Sequence, residues 1–413
     1  MTPEGNQAVG ESGERAARVP SASPARVVMI GAGQLARMTQ QAAVDYAITT
    51  HVLATSTDDP AVTAGAAYTI GDWDSYDDLA RVASCGEVVT FDHELVPLAH
   101  VRRLTEAGHH VRPDAGALAW SCDKLYARQG LSGPGSFQVP VPDFAPATTL
   151  DDVAAFADAH GWPVVLKRRS GGYDGRGVNV LTQLDDAVPL LADTAPGGEP
   201  QWLVEEHLDL AGEFAILLAR SPSGEIVTYP PIGTRQHDGI CLELTMPAAL
   251  PTAATDAAVR MATSVIAGIG ATGICAVEFF WTTDGRVLLN ELALRPHNSG
   301  HATIEACTTS QFHQHLRAVL DWPLGPTDLR RPAAATVNVI ANAHTTDPAA
   351  HLRDALAVPG AHVHLYQKVP RPGRKIGHVT ALADTVDEAL DAARQAANVL
   401  TQSNEPIHQE AQR

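Results

Sequence analysis

Residues 274–293, "ICAVEFFWTTDGRVLLNELA", are two apolar runs meeting at Asp284-Gly285, and they leave few arrangements open besides a β-hairpin. With Asp284 and Gly285 as the two turn residues, Thr283 faces Arg286, Trp281 faces Leu288 and Glu278 faces Glu291. Carboxylates opposed in this way have Cβ atoms about 5 Å apart and repel. Among apolar neighbours their charge is also costly. A bridging hard cation relieves both penalties, and Mg²⁺ is commonly held by one or two carboxylates together with phosphate oxygens. Protonation of one acid, or an arginine partner, would relieve them too. In a regular strand Asn290 projects to the other face.

A phosphate partner has a candidate cradle upstream. Gly171-Gly172-Tyr173-Asp174-Gly175-Arg176-Gly177 holds four glycines in seven residues, so backbone N–H groups can approach an anion closely. No Gly-Lys-Ser/Thr follows, so this is not a Walker A loop. Lys167, on the strand before it, supplies a point charge. The plain alternative is a mobile hairpin loop. Downstream, "NELALRPHNSGH" (290–301) has His297 and His301 four apart. Pro296 and Gly300 argue against a zinc-binding helix there, and the loop Arg295, His297, Asn298, Ser299 suits an oxyanion better. "QKVPRPGRKIGH" (367–378) gathers Lys368, Arg371, Arg374 and Lys375, a cluster suited to a phosphate monoester or to plain solvation.

Those local cations matter because the 413-residue chain has 47 acidic and 29 basic residues, a net charge of -18. Such a surface argues against non-specific binding to nucleic acid or anionic lipid. The five cysteines are scattered without a C-x-x-C pair, which suits core thiols in a reducing compartment. No apolar run of about 18 residues is present, and the N-terminus lacks a signal-peptide core. These features predict a cytoplasmic protein.

Near the start, "VVMIGAGQLARM" (27–38) fits the Gly-x-Gly-x-x-Gly/Ala dinucleotide fingerprint through Gly31, Gly33 and Ala36. The acidic residue expected at the end of the second strand, about 20 residues later, comes late: the candidate strand Ile48 to Leu53 ends in Ala54-Thr55-Ser56, and the first acids after it are Asp58 and Asp59. A nicotinamide-dependent dehydrogenase rests on this turn alone. The chain divides into a tail (1–24), a βαβ unit (25–120), a central unit (121–326), a small α+β unit (327–402) and a second tail (403–413). The predicted class is mixed, α/β and α+β.

Six stretches, in one order, carry a resemblance: "GAGQLARM", "TFDHELV", "LKRRSGGYDGRGV", "EFFWTTDGRVLLNELALRPHNSGH", "SQFHQHLRAVLDWPLG" and "YQKVPRPGRKIGH". Together they resemble the ATP-grasp enzymes, and among them the 5-(carboxyamino)imidazole ribonucleotide synthases of purine biosynthesis. "GGYDGRG" and "RPHNSGH" are the specific motifs. The resemblance implies an ATP-grasp architecture with a pre-ATP-grasp N-terminal domain. Its substrates would be ATP, bicarbonate and 5-aminoimidazole ribonucleotide, its metal Mg²⁺ and its assembly a homodimer.

The resemblance also implies residue roles. ATP would be held by Lys124, Lys167, Gly172, Tyr173, Asp174, Gly175, Arg176, Gly177 and Val178 around its phosphates. Glu205, Glu206, His207 and Leu208 would line the adenine, with Glu213 on the ribose and Gln236, Asn290 and Glu291 completing the site. Glu278 and Glu291 would hold the metal. Arg295, His297 and Asn298 would form the carboxyl-transfer pocket, with Tyr173 and Asp174 closing over it. Arg176, Lys368 and Arg374 would meet the ribonucleotide's phosphate, with Asp92 and Glu94 near its aminoimidazole. Four positions depart from the family pattern. Lys124 and Arg128 stand where an arginine and then a lysine are usual, Gln236 replaces a histidine, Leu294 a proline and Asp92 a glutamate. A formate-dependent glycinamide ribonucleotide transformylase is the runner-up within the superfamily. A catalytically silent nucleotide-binding protein is a further alternative.

Overall fold

The structure, a computed structural model, describes residues 25–135, 137–171, 177–192, 200–237 and 239–401. The apolar run after the tail forms β1 (Arg26–Ile30), flanked in parallel by β2 (Thr49–Ala54) and β4 (Val88–Phe91), with β3 (Ala67–Ile70) outside β2. Residues 27–30 are buried on both faces, as a central parallel strand requires. The helix Gln34–Asp45 follows at once and turns Leu35, Met38, Thr39 and Ala42 inward, the spacing of a single helical face.

A four-stranded antiparallel sheet comes next in the order β5 (Phe144–Ala147), β8 (Trp202–Glu206), β6 (Val164–Arg168), β7 (Val178–Leu181). The helix Leu150–His160 covers it. That helix opens with a reciprocal cap between Thr149 and Asp152, which satisfies two otherwise unpaired donors.

Nine strands form the largest sheet: β9 (Leu210–Arg220), β10 (Ile226–Thr228), β11 (Ile232–His237), β12 (Ile240–Met246), β13 (Gly273–Thr282), β14 (Val287–Ala293), β15 (Ala333–Ile340), β16 (Ala361–Leu365) and β17 (Lys375–Ala383). Its path is β14-β13-β9-β11-β12-β15-β17-β16, with β10 beside β9. The strands of the small C-terminal unit therefore continue the central sheet through the β12–β15 pair, where Glu243 faces Val337. The helix Val386–Thr401 packs on them through Ala389, Ala393, Ala396, Ala397 and Leu400. No helix among the described residues is long and apolar enough to cross a membrane.

The β13–β14 hairpin differs from its expected register near the turn. The loop has three residues, Thr283, Asp284 and Gly285, with Gly285 at φ +87° and Thr282 bonded to Arg286 across the loop. Trp281 consequently faces Val287 rather than Leu288. A bulge at Asn290 then adds one residue to β14, so Glu278 does face Glu291. The two offsets cancel.

Candidate active site

The cleft is built where the four-stranded sheet faces the β13–β14 end of the large one. Lys167, the fourth residue of β6, is buried, with Nζ 2.6 Å from Glu205 Oε2 on the neighbouring strand β8. Glu205 Oε1 accepts from Arg128 Nε at 2.7 Å. Burial pushes the Glu205 carboxyl up, but the Arg128 and Lys167 charges outweigh it and hold it at about 2. This buried trio has two cations and one anion, a surplus suited to phosphate oxygens.

From the opposite wall, Asn290 Oδ1 accepts from Lys167 Nζ at 3.2 Å. The bulge turns Asn290 to this face, so the regular-strand expectation that it points away is overturned. Lys124 pairs with Glu291. Burial raises the Glu291 carboxyl, yet the adjacent Lys124 ammonium lowers it further and leaves it ionised. Glu278 moves the other way: desolvation, then the charges of Glu291 and Glu213, push it well above the carboxylate range. Glu213, on β9 opposite Phe280, is itself raised, mainly by burial, and accepts from Gln236 Nε2 at 2.9 Å.

This corner thus gathers three half-buried carboxylates, Glu213, Glu278 and Glu291, of which only Glu291 has an ammonium partner. A hard divalent cation fits the donor set, which is all oxygen at Glu278 and Glu291. Among the described residues no three acidic, histidine or cysteine side chains group closely enough to hold a metal alone. Phosphate oxygens would have to complete its shell.

The segment after β14 lines the other side. His297 Nε2 lies 3.5 Å from Glu278 Oε1, its Nδ1 bonds Ser299 Oγ at 2.9 Å, and its backbone is held by Gln311 on both sides. Arg295 Nε is 3.3 Å from Glu94 Oε2, while Glu94 Oε1 accepts from Leu294 N at 2.6 Å. The amide nitrogen and oxygen of Asn298 are both buried without a hydrogen-bond partner among the described residues.

Asp92, expected near the aminoimidazole, is engaged by the chain itself. Its oxygens accept from Gly33 N at 2.6 Å and Ala36 N at 3.0 Å, capping the helix Gln34–Asp45. A Cβ on residue 33 would sit 2.6 Å from Asp92 Oδ2, which is why glycine is needed there. The dinucleotide-like turn is occupied by the chain's own carboxylate, so the pyrophosphate position of a dehydrogenase is taken.

Lys368 reaches the same turn, bonding Gln34 Oε1 and lying over the Tyr366 ring with Nζ 5.6 Å from its centroid. Arg374 Nη1 bonds Val369 O at 3.0 Å within that loop. Glu206 accepts from Asp143 N at 3.1 Å, and Val178 opens β7 after Gly177 at φ +78°. His207 and Leu208 join β8 to β9. Gly172, Tyr173, Asp174, Gly175 and Arg176 lie outside the described residues. Sequence reasoning noted Arg128 only as a departure from the family pattern, without a place in the site, and missed Gln311. The further signal for Arg128 was its place four residues after Lys124 on one helix face.

Three family models match in sequence order: the ribonucleotide synthetase pre-ATP-grasp domain over residues 25–121, the ATP-grasp domain over 135–312, and the phosphoribosylaminoimidazole carboxylase C-terminal domain over 334–392. The chain is 43% identical over 381 residues to N5-carboxyaminoimidazole ribonucleotide synthase of Mycobacterium tuberculosis, covering 91% of this chain and 87% of the relative. It is 37% identical to the enzyme of the same name from Corynebacterium ammoniagenes, covering 95% and 96%. Among solved structures, the Aspergillus clavatus N5-carboxyaminoimidazole synthase with ADP and 5-aminoimidazole ribonucleotide superposes with TM-score 0.81 at 27% identity, covering 92% of this chain and 99% of that one. The Thermus thermophilus synthetase gives TM-score 0.79 at 32% identity, covering 93% and 100%. With its sequence, fold and three domain models in agreement, the chain belongs to the N5-carboxyaminoimidazole ribonucleotide synthase family of ATP-grasp ligases.

Proposed function

We propose that this chain carboxylates 5-aminoimidazole ribonucleotide with bicarbonate at the expense of ATP, giving the N-carboxyamino ribonucleotide, ADP and phosphate in purine biosynthesis. The observation that carries this reading is the pairing of a cationic wall, Lys167 and Arg128 around Glu205, with the carboxylates Glu278 and Glu291 opposite. ATP fits between them with its phosphates toward Lys167, Lys124 and the Gly172–Val178 loop. The chain from Glu205 to Leu208 faces the adenine. Because the Glu205 side chain is spent on Arg128 and Lys167, its contribution there comes from the backbone. Glu213, steadied by Gln236, takes the ribose.

Glu278 and Glu291 would hold Mg²⁺, which supplies charge neutralisation at the transferring phosphoryl group. A bicarbonate oxygen attacks the γ-phosphorus, the bond to the β-γ bridging oxygen breaks and ADP departs. The substrate amine then attacks either carboxyphosphate, expelling phosphate, or the CO₂ left after phosphate has departed, and in both cases the amine nitrogen loses a proton. Arg295 faces the developing negative charge. His297 and the unspent donor and acceptor of Asn298 hold the carboxyl group. Such a step depends on positioning and charge more than on a protein nucleophile.

Lys368 and Arg374, with Arg176, receive the ribonucleotide's phosphate. Asp92 acts one step back, fixing the glycine turn and Gln34 against which Lys368 rests. Glu94 holds Arg295 and Leu294 on the acceptor side. The cytoplasm is the compartment that suits this chemistry and the free thiols, and a homodimer is the assembly to test by sedimentation.

The testing experiment is phosphate release from MgATP and bicarbonate, with and without 5-aminoimidazole ribonucleotide. Strong stimulation by the ribonucleotide is expected. ATP binding without stimulation would overturn the acceptor and leave only the ATP-grasp fold.

A further inference from the structure

The helix Lys124–Ser132 is tied to both walls of the cleft. Toward the four-stranded sheet, its N-cap Asp123 takes Arg169 Nε on both oxygens at 2.9 Å, and Lys124 N donates to Arg169 O at 2.9 Å. Toward the nine-stranded sheet, Lys124 pairs with Glu291. Arg128 does both at once. Its Nε donates to Glu205 Oε1 at 2.7 Å on β8, and its Nη1 donates to the main-chain oxygen of Asn290 on β14. The guanidinium is 2% exposed, so neither bond competes with bulk water.

We propose that Arg128 is a positioning residue that sets the separation of the two sheets, and through it the fit of the nucleotide between them. A planar fork holds two acceptors at a fixed distance and angle, which one ammonium centre cannot reproduce. Where the family pattern has lysine at this place its arginine stands at the Lys124 position, so in this chain the only guanidinium of the pair is at residue 128. Its two acceptors flank the nucleotide seat directly. Glu205 shares its carboxylate with Lys167, and Asn290 is the bulge residue whose side chain meets that same lysine. A small change in Arg128 therefore alters both walls around Lys167 together. The inference rests on the reading that ATP lies between these sheets.

Arg128→Lys tests it, because the charge facing Glu205 stays and only the bridge is lost. The expected result is a KM for MgATP raised about ten-fold, with the KM for the ribonucleotide within about two-fold of wild type. Arg394→Lys is the control. Arg394, on the C-terminal helix Val386–Thr401, grips Glu243 through Nε at 2.7 Å and Nη2 at 2.9 Å without touching either wall residue that Arg128 joins, and its loss should move only the melting temperature. Should Arg128→Lys fail to fold, Asp123→Asn loosens the same helix from Arg169 and is expected to raise the KM for MgATP in the same direction. An active wild type in which Arg128→Lys changes only the melting temperature, as Arg394→Lys does, overturns the proposal. A wild type without ribonucleotide-stimulated ATP hydrolysis overturns the functional reading instead.

Discussion

Glu278 and Glu291 face each other across the β13–β14 ladder, and the structure gives them opposite protonation tendencies. Glu291 has the Lys124 ammonium beside it. Glu278 has mainly other carboxylates and a histidine 3.5 Å away. Two like groups in one corner are thereby made unlike, which a divalent cation would reverse by drawing both into the ionised form.

Removing one of these charges should remove the metal. Glu291→Gln keeps the side chain's shape, and ATP turnover is expected to fall by at least about a hundred-fold. Near-normal phosphate release by the folded variant would exclude the metal assignment.

Lys368 should separate the two substrates. In Lys368→Ala the KM for the ribonucleotide is expected to rise about ten-fold while that for ATP changes little. Equal effects on both, in steady-state assays with each substrate varied, would take Lys368 out of the phosphate site.

Asp92→Asn tests the helix cap. The amide keeps one acceptor but loses the negative charge at the helix N-terminus, a loss of about 1–2 kcal/mol of stability. The reading is a lower urea midpoint at an unchanged m-value. An unaltered midpoint would mean that the Gly33 and Ala36 bonds contribute nothing net.

Acid should destabilise the fold through buried imidazoles. His315 accepts from Ile274 N at 3.1 Å and bonds Thr90 Oγ1 at 2.9 Å, and burial lowers it to about 3. Burial holds His301 and His378 well below their ordinary range as well. A histidine whose folded value is depressed leaves stability intact above its unfolded value near 6.5. Below that pH the unfolded chain binds the proton first, so stability falls as pH drops toward 3, by up to about 1.4 kcal/mol per pH unit for each such group. Urea midpoints at descending pH should fall less steeply in His315→Gln than in wild type, and parallel profiles would rule this out.

Much of this molecule is readable from local pattern. The hairpin, the opposed acids and the strand before the glycine loop each depend on neighbours within about 20 residues, where period and turn chemistry decide the outcome. The hidden parts are those set at long range. That Asp92 fills the glycine turn depends on a contact 59 residues away, and Arg128 reaches Glu205 and Asn290 across 77 and 162 residues. The extra residue at Asn290 was hidden for another reason. A bulge leaves both flanking patterns intact, and a compensating three-residue turn restored the Glu278–Glu291 pairing despite the misjudged loop.

Continuity of the nine-stranded sheet has a mechanical consequence. The strands bearing Glu278 and Glu291 and the strands bounding the Lys368 loop belong to one uninterrupted ladder of main-chain bonds. Under the proposed roles, shifting the Lys368 loop relative to the Glu278–Glu291 corner would mean shearing that ladder, which folded proteins resist. The nine-stranded sheet would accordingly gauge both proposed reactant anchors against one datum.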